Sequence, residues 1–350
     1  MPTPLQDIPM NQRHPHPLAA QHRFCVAPMM DWTDRHDRRF LRCLSNEAML
    51  YSEMVTSAAL VHGDSVALLA HSPEEYPVAL QIGGSDPEQL QRAAKMGAAA
   101  GYCEINLNVG CPSERVQSGA FGACLMAEPE LVARCVSAMR EVVDVPVTVK
   151  CRIGIDDQDS EAALQHFVGT VADAGCELFI VHARKAILSG LSPKQNRDIP
   201  PLDYDRVYRL KQHFSHLAII INGGIVDLET AHAQLEHVDG VMLGREAYQN
   251  PFLLAHVDSR FYGATPSQTT RDSVLRAYLP YVEQQLAAGT PLQHITRHLL
   301  GLYKGVHGGK QFRRHLSENA YRPEAGIEVL VDAMALASEN YRRLAHADDD

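Results

Sequence analysis

Two glycine-bearing segments could hold an anion. Asn222-Gly223-Gly224 and Gly244-Arg245 each end a short apolar run. Glycines there let backbone N–H groups approach a phosphate, and a guanidinium adds positive charge. Lys150 and Arg152 lie two residues apart, so on a strand both side chains leave one face while Cys151 leaves the other. A lysine in an apolar interior needs an anionic or hydrogen-bonding partner to stay charged, and the electron-rich end of a reduced isoalloxazine would supply one. Gln81, at another run end, could add a hydrogen bond at the ring edge. His182, ending a further run, suits a cofactor contact or a satisfied structural hydrogen bond equally well.

The eight cysteines, at 25, 43, 103, 111, 124, 135, 151 and 176, never fall at the C-x-x-C spacing of a zinc ribbon or a thiol redox pair. They read as reduced thiols, most of them small core hydrophobes. Cys111 differs, because it sits in a Gly110-Cys111-Pro112 turn beyond a run end, where the proline restricts the preceding backbone. Cys124, in Gly122-Ala123-Cys124-Leu125, is the rival reactive thiol, but its segment is apolar and reads as the start of a helix.

These groups need a frame that brings run ends together. Eight Val/Ile/Leu-rich runs alternate with helical stretches: 24–30, 49–55, 77–84, 102–110, 146–154, 178–184, 218–224 and 240–247. For the helix after the third run, Asp86 is the N-cap and Pro87 the first helical position. Eight strand–helix repeats predict an α/β fold, a (β/α)8 TIM barrel, whose functional groups gather at the C-terminal strand ends; the loops after the seventh and eighth strands commonly bind phosphate. The predicted organisation is a flexible N-terminal segment (1–21), a barrel domain (22–262), a linker at 263–268, a small C-terminal helical domain (268–344) and a flexible tail (345–350). No stretch approaches the roughly 20 apolar residues that cross a bilayer, and the start lacks the apolar core of a signal peptide, so a cytoplasmic protein is expected.

The ordered motifs Ala27-Pro28-Met29-Met30-Asp31-Trp32-Thr33-Asp34, Asn106-Leu107-Asn108-Val109-Gly110-Cys111-Pro112-Ser113, Lys150-Cys151-Arg152-Ile153-Gly154 and Val181-His182-Ala183-Arg184-Lys185 resemble the tRNA-dihydrouridine synthase family, most closely its DusA type. The likeness runs from about residue 23 to 344. It implies an FMN-bearing barrel, a helical RNA-binding domain and NADPH-dependent reduction of tRNA uridine to dihydrouridine. Carried across, it places Pro28, Met29, Met30, Gln81, Lys150, His182, Asn222, Gly223, Gly224, Gly244 and Arg245 around FMN, and makes Cys111 the catalytic acid. An ordinary thiol, with a pKa of about 8.5, is mostly protonated near neutrality and can give that proton to carbon. Asn108 matches a position that contacts the nucleotide; its amide could pair with the uracil edge or hold the loop.

Reduction of a stacked uridine requires its ring to be turned outward, hence a second grip on the RNA. The net charge of −10 argues against indiscriminate nucleic-acid affinity, yet residues 184–211 carry a local excess of +4 and residues 291–322 one of +5. Within them the resemblance singles out Lys194, Arg197, Lys310 and Arg313 as tRNA contacts, and it points to uridines 20 and 20a of the D-loop. The competing readings are an FMN barrel reducing a free pyrimidine or other small molecule, and an RNA-binding barrel without turnover. Neither a metal site nor a protein partner is expected.

Overall fold

All eight apolar runs contain a strand in the computed structural model, which describes residues 16–345. In chain order the strands are β1 (Phe24–Val26), β2 (Leu50–Tyr51), β3 (Val55–Thr56), β4 (Val78–Gly83), β5 (Glu104–Val109), β6 (Val147–Arg152), β7 (Leu178–His182), β8 (Ala218–Asn222) and β9 (Gly240–Leu243). β3 is the short addition: it separates from the end of the second run and pairs with β4. The others run β1-β9-β8-β7-β6-β5-β4-β2, every pair parallel. A parallel bridge between Cys25 and Met49 brings the two ends of that order together, with Val26 N–H donating to the Met49 carbonyl at 2.9 Å. The sheet is thereby a barrel, and its C-terminal strand ends lie at one mouth.

The strand residues that point outward are apolar because helices cover them. Ile105, Leu107 and Val109 on β5 are fully buried, each contributing about 1.5–3 kcal/mol by leaving water. The helix Pro87–Ala99 packs on β4 and β5 through Leu90, Ala93, Ala94 and Gly97, a helical i, i+3, i+4, i+7 face. It starts where expected: Asp86 accepts from the Gln89 N–H at 2.9 Å and Pro87 occupies the first turn. The inward positions of β5, by contrast, are Glu104, Asn106 and Asn108.

The chain forms two compact units. The barrel unit runs to Pro28, then takes Met49–Ala70 and Tyr76–Leu243; the second comprises Met29–Ala48, His71–Glu75 and the chain from Gly244. Segments 29–48, 71–75 and 244–262 of the second unit come from the stretch that the sequence reading assigns to the barrel domain. This second unit is helical, with Arg35–Arg42, Arg271–Ala287, Gly309–Asn319 and Ile327–Ala345 as its longer helices. Arg38 pairs with Glu75 at 2.7 Å, both buried, and Arg42 donates to the carbonyls of Ser45, Ala48 and Glu75. Those bonds tie the 71–75 segment to the helix Arg35–Arg42. Asp34 caps that helix and pairs with Arg297 and His298; against the opposing effect of burial, they hold its carboxyl well below the usual range. The linker at 263–268 is irregular, and Thr270 and Ser273 form a capping box that starts Arg271–Ala287.

Most of the predicted flexible N-terminal segment, and nearly all of the predicted tail, lie outside the described residues; residues 17–21 form the helix Pro17–Gln21. No described helix is long and apolar enough to cross a membrane.

Barrel closure leaves no space beside β9. A Cβ added at Gly240 would lie 2.0 Å from the His22 carbonyl oxygen and 2.8 Å from Ile220 Cδ1. Gly240→Ala should therefore lower stability by about 1–3 kcal/mol, read as a drop in the urea unfolding midpoint; an unchanged midpoint would contradict this packing.

Candidate active site

Strand register assembles the barrel mouth. Arg152, His182 and Asn222 are direct neighbours on β6, β7 and β8, and Asn108 lies opposite Lys150 across β5 and β6. Because period-two alternation sends Lys150 and Arg152 to one face, two cations enter the same space. Lys150 Nζ donates to Asn222 Oδ1 at 3.1 Å, and Asn222 Nδ2 donates to the Met242 carbonyl at 2.7 Å. Among the described residues Lys150 has no carboxylate partner. Burial, and then the charge of Arg152, push its pKa down to about 8.

The same field acts on His182. Burial first, then Arg152 and Lys150, hold its imidazole well below the ordinary histidine range, so it is neutral near pH 7. Its ring packs against Gly223, where φ is +117° and an added Cβ would come within 2.6 Å of Cδ2. Glycine is required there for both conformation and space. Tyr204 secures the turn by donating to the Gly223 carbonyl at 2.6 Å.

Cys111 is held from several sides. Asn108 Oδ1 accepts from the N–H groups of Gly110 and Cys111 at 3.1 and 3.0 Å, and the Cys111 carbonyl accepts from Ala123 N–H at 2.9 Å. Arg152 Nε donates to the Gly110 carbonyl at 2.9 Å, while its Nη1 reaches the carbonyls of Lys185 and Asn196 at 3.2 and 3.0 Å. Gln117 Nε2 bridges the Pro112 and Leu188 carbonyls at 2.8 Å each. The half-buried thiol itself donates only weakly, to Ser113 Oγ at 3.6 Å. Cys124, the rival, lies in the 3-10 turn Gly122–Ala127 and donates to the Phe121 carbonyl at 3.1 Å; burial raises its pKa.

Asn108 Nδ2 also donates to Gln81 Oε1 at 2.8 Å, so Gln81, Asn108, Cys111, Lys150, His182, Asn222 and Gly223 belong to one barrel mouth, joined by these contacts and by strand register. Gly224 is the next residue of the same turn, at φ +70°. Pro28 lies two residues beyond the end of β1. Lys194 and Arg197 are exposed on the 192–198 turn of the barrel unit, which the buried Asn196 anchors by exchanging hydrogen bonds with the backbone of Ile187. The second unit holds Met29, Met30, Gly244, Arg245, Lys310 and Arg313. In it, Met29 is tied to Thr33 in a tight turn, Met30 and Arg245 are exposed, and Gly244 precedes the helix Arg245–Gln249. Lys310 and Arg313 are exposed on the helix Gly309–Asn319, whose Phe312 and Leu316 are buried.

The floor of this site, Glu104 and Thr148 with His22 and Tyr51 beside them, carries no motif of its own in the sequence. The usable signal was Glu104-Ile105-Asn106-Leu107-Asn108, whose polar residues at every second position face inward here. Arg152 was recognised by its spacing, but its three carbonyl partners come from distant loops.

A cation without a carboxylate, beside a neutral imidazole and a glycine turn, suits an anionic, hydrogen-bond-accepting group such as a flavin. It also has a thermodynamic consequence for the flavin-free protein. Below about pH 8 both folded and unfolded chains carry the Lys150 proton, and the fold bears the cost of burying it; between about 8 and 10.4 the folded chain has lost it and that penalty fades. Lys150→Met should accordingly be more resistant to urea than the native chain at about pH 7, by a margin that shrinks at about pH 9.5. A margin independent of pH would contradict this electrostatic account.

Residues 25–338 match the dihydrouridine synthase (Dus) family profile. The tRNA-dihydrouridine(20/20a) synthase of Vibrio parahaemolyticus is 60% identical over 314 residues, 89% of this chain and 96% of its own. That of Escherichia coli strain K12 is 60% identical over 318 residues, 91% of this chain and 92% of its own. Among solved structures, morphinone reductase aligns with a TM-score of 0.50 at 14% identity, over 72% of this chain and 88% of its own, a likeness of fold alone. With the profile spanning barrel and C-terminal helices alike, and relatives this similar over nearly their whole length, the chain belongs to the dihydrouridine synthase family.

Proposed function

We propose that the protein reduces the C5–C6 double bond of uridine in tRNA to dihydrouridine, using bound FMN and NADPH as reductant, at positions 20 and 20a of the D-loop. The observation that carries this reading is the arrangement of one barrel mouth: Lys150 with no carboxylate partner among the described residues, and Cys111 on a turn fixed by Asn108 and Arg152. The relatives' name, tRNA-dihydrouridine(20/20a) synthase, supports this choice of substrate and positions, and the cytoplasm is where such a tRNA substrate would be met.

Within the barrel unit, Pro28, Gln81, Lys150, His182, Asn222, Gly223 and Gly224 would hold FMN, which supplies, when bound and reduced, a hydride for uracil C6. Lys150 offers its ammonium to the electron-rich part of that group. Neutral His182 can offer a hydrogen bond without adding a further charge. Cys111 carries the proton: its Sγ–H gives it to uracil C5, and the resulting thiolate lies near the Arg152 guanidinium, which the Gly110 carbonyl orients. Asn108, whose Oδ1 holds the Cys111 turn, has an Nδ2–H left to meet the uracil edge.

Lys194, Arg197, Lys310 and Arg313 would grip tRNA phosphates, because long exposed cations release counterions when they meet the backbone. Recognition of position then rests on how these contacts orient the RNA, since any uracil presents the same ring.

Cys111→Ala should purify yellow with bound FMN, while dihydrouridine formation falls by about 10²–10⁴-fold, measured by mass analysis of nucleosides after incubation with tRNA and NADPH. A fully active variant would overturn the assignment. Charge reversal of Lys310 together with Arg313 should weaken tRNA binding and flatten its salt dependence by about one unit of slope per lost phosphate contact; an unaltered slope would remove the patch from the interface.

A further inference from the structure

The floor of the barrel contains a hydrogen-bond chain that reaches Cys111. Glu104 Oε1 accepts from the Thr148 hydroxyl at 2.5 Å and from the Tyr51 hydroxyl at 2.9 Å, and its Oε2 pairs with His22 Nε2 at 2.5 Å. Thr148 Oγ1 in turn accepts from Asn106 Nδ2, Asn106 Oδ1 from Gln81 Nε2, and Gln81 Oε1 from Asn108 Nδ2, each at 2.8 Å. Asn108 Oδ1 closes the series on the N–H groups of Gly110 and Cys111. Every side chain from His22, Tyr51 and Glu104 through Asn108 is at least nine-tenths buried, and none of them has a buried nitrogen or oxygen left without a partner.

The polarity of this chain is determined at both ends. A backbone N–H can only donate, so Asn108 must turn its oxygen to the Cys111 turn and its nitrogen to Gln81. At the other end the Glu104 carboxylate accepts, so Thr148 must spend its single proton there and can only accept from Asn106. The His22 ring supports the same sense: its Nδ1 faces the Leu18 carbonyl, another pure acceptor, and although burial opposes it, Glu104 raises its pKa above the ordinary value. Two independent termini thus require one orientation of all three amides, and an inverted amide anywhere would set donor against donor.

We propose that Glu104, Thr148 and Asn106 are positioning residues for Cys111, acting through Gln81 and Asn108 to hold its turn in a single geometry. This rests on the reading of Cys111 as proton donor. Thr148 is the place to cut the chain, because it lies two residues before Lys150 on β6 and its replacement by valine removes one hydroxyl at constant shape.

In Thr148→Val holoenzyme, flavin content and the rate of flavin reduction by NADPH should stay native. The kcat for tRNA should fall by about tenfold or more with KM within about twofold, and the rate of Cys111 alkylation by iodoacetamide, followed by peptide mass, should rise by about threefold or more as the turn loosens. Thr148→Ser, which keeps the hydroxyl, should restore both. Should Thr148→Val not fold, Thr148→Ala removes the same group without adding a methyl and carries the same expectations. Native alkylation and native kcat in a variant lacking the hydroxyl would overturn the proposal, as would equal slowing of flavin reduction or failure of serine to rescue. If the native protein itself left tRNA unreduced, the proposed function would fall, while alkylation would still decide whether the chain holds Cys111.

Discussion

A closed ring of parallel strands obliges every polar side chain on its inner face to find its partner inside. At the floor of this barrel the obligation is met by a directional series from Glu104 through Thr148, Asn106, Gln81 and Asn108 to the Cys111 backbone. An unmet buried donor or acceptor costs about 1–3 kcal/mol, so the members stand or fall together. The price is offset by specificity: side chains on β4, β5 and β6 are given one orientation, and the turn that follows β5 inherits it.

The second constraint is electrostatic. The chain as a whole is acidic, at −10, yet its barrel mouth concentrates cations. Burial followed by Arg197 and Arg184 lowers Arg152 to about 10, and Lys150 is depressed as well. Such a site is costly when empty of anions and favourable when an anionic group shares it, which couples ligand binding to the stability of the unit. Arg152 also acts mechanically, since its carbonyl partners tie the turn after β5, at Gly110, to the connection after β7, at Lys185 and Asn196.

Much of the fold was legible because strand and helix leave different periods in the sequence. The eight apolar runs each contain a strand, and Asp86-Pro87 starts its helix. The inner face was harder to read. Glu104, Asn106 and Asn108 alternate with Ile105, Leu107 and Val109, a pattern that in an isolated sheet means one wet side, whereas here the polar side is the barrel interior. Nor does local sequence say that 29–48 and 71–75 pack in the helical unit; Arg38 and Glu75, 37 residues apart, make that connection by a buried ion pair. For the site, Lys150 and Arg152 revealed a shared face by spacing alone, but their partners depend on strand order. Cys111 was marked by its Gly-Cys-Pro turn, while the donors and acceptors that fix it come from β4, β5, β6 and the 122–127 turn.

Family membership, a cationic barrel mouth and one well-held thiol converge on the saturation of a pyrimidine ring in RNA. The most direct measurement is mass mapping of unmodified tRNA after incubation with the purified protein and NADPH. Expected is a gain of two hydrogens confined to D-loop uridines. A protein that carries FMN and is reduced by NADPH, yet leaves every tRNA uridine at its original mass, would contradict the central claim.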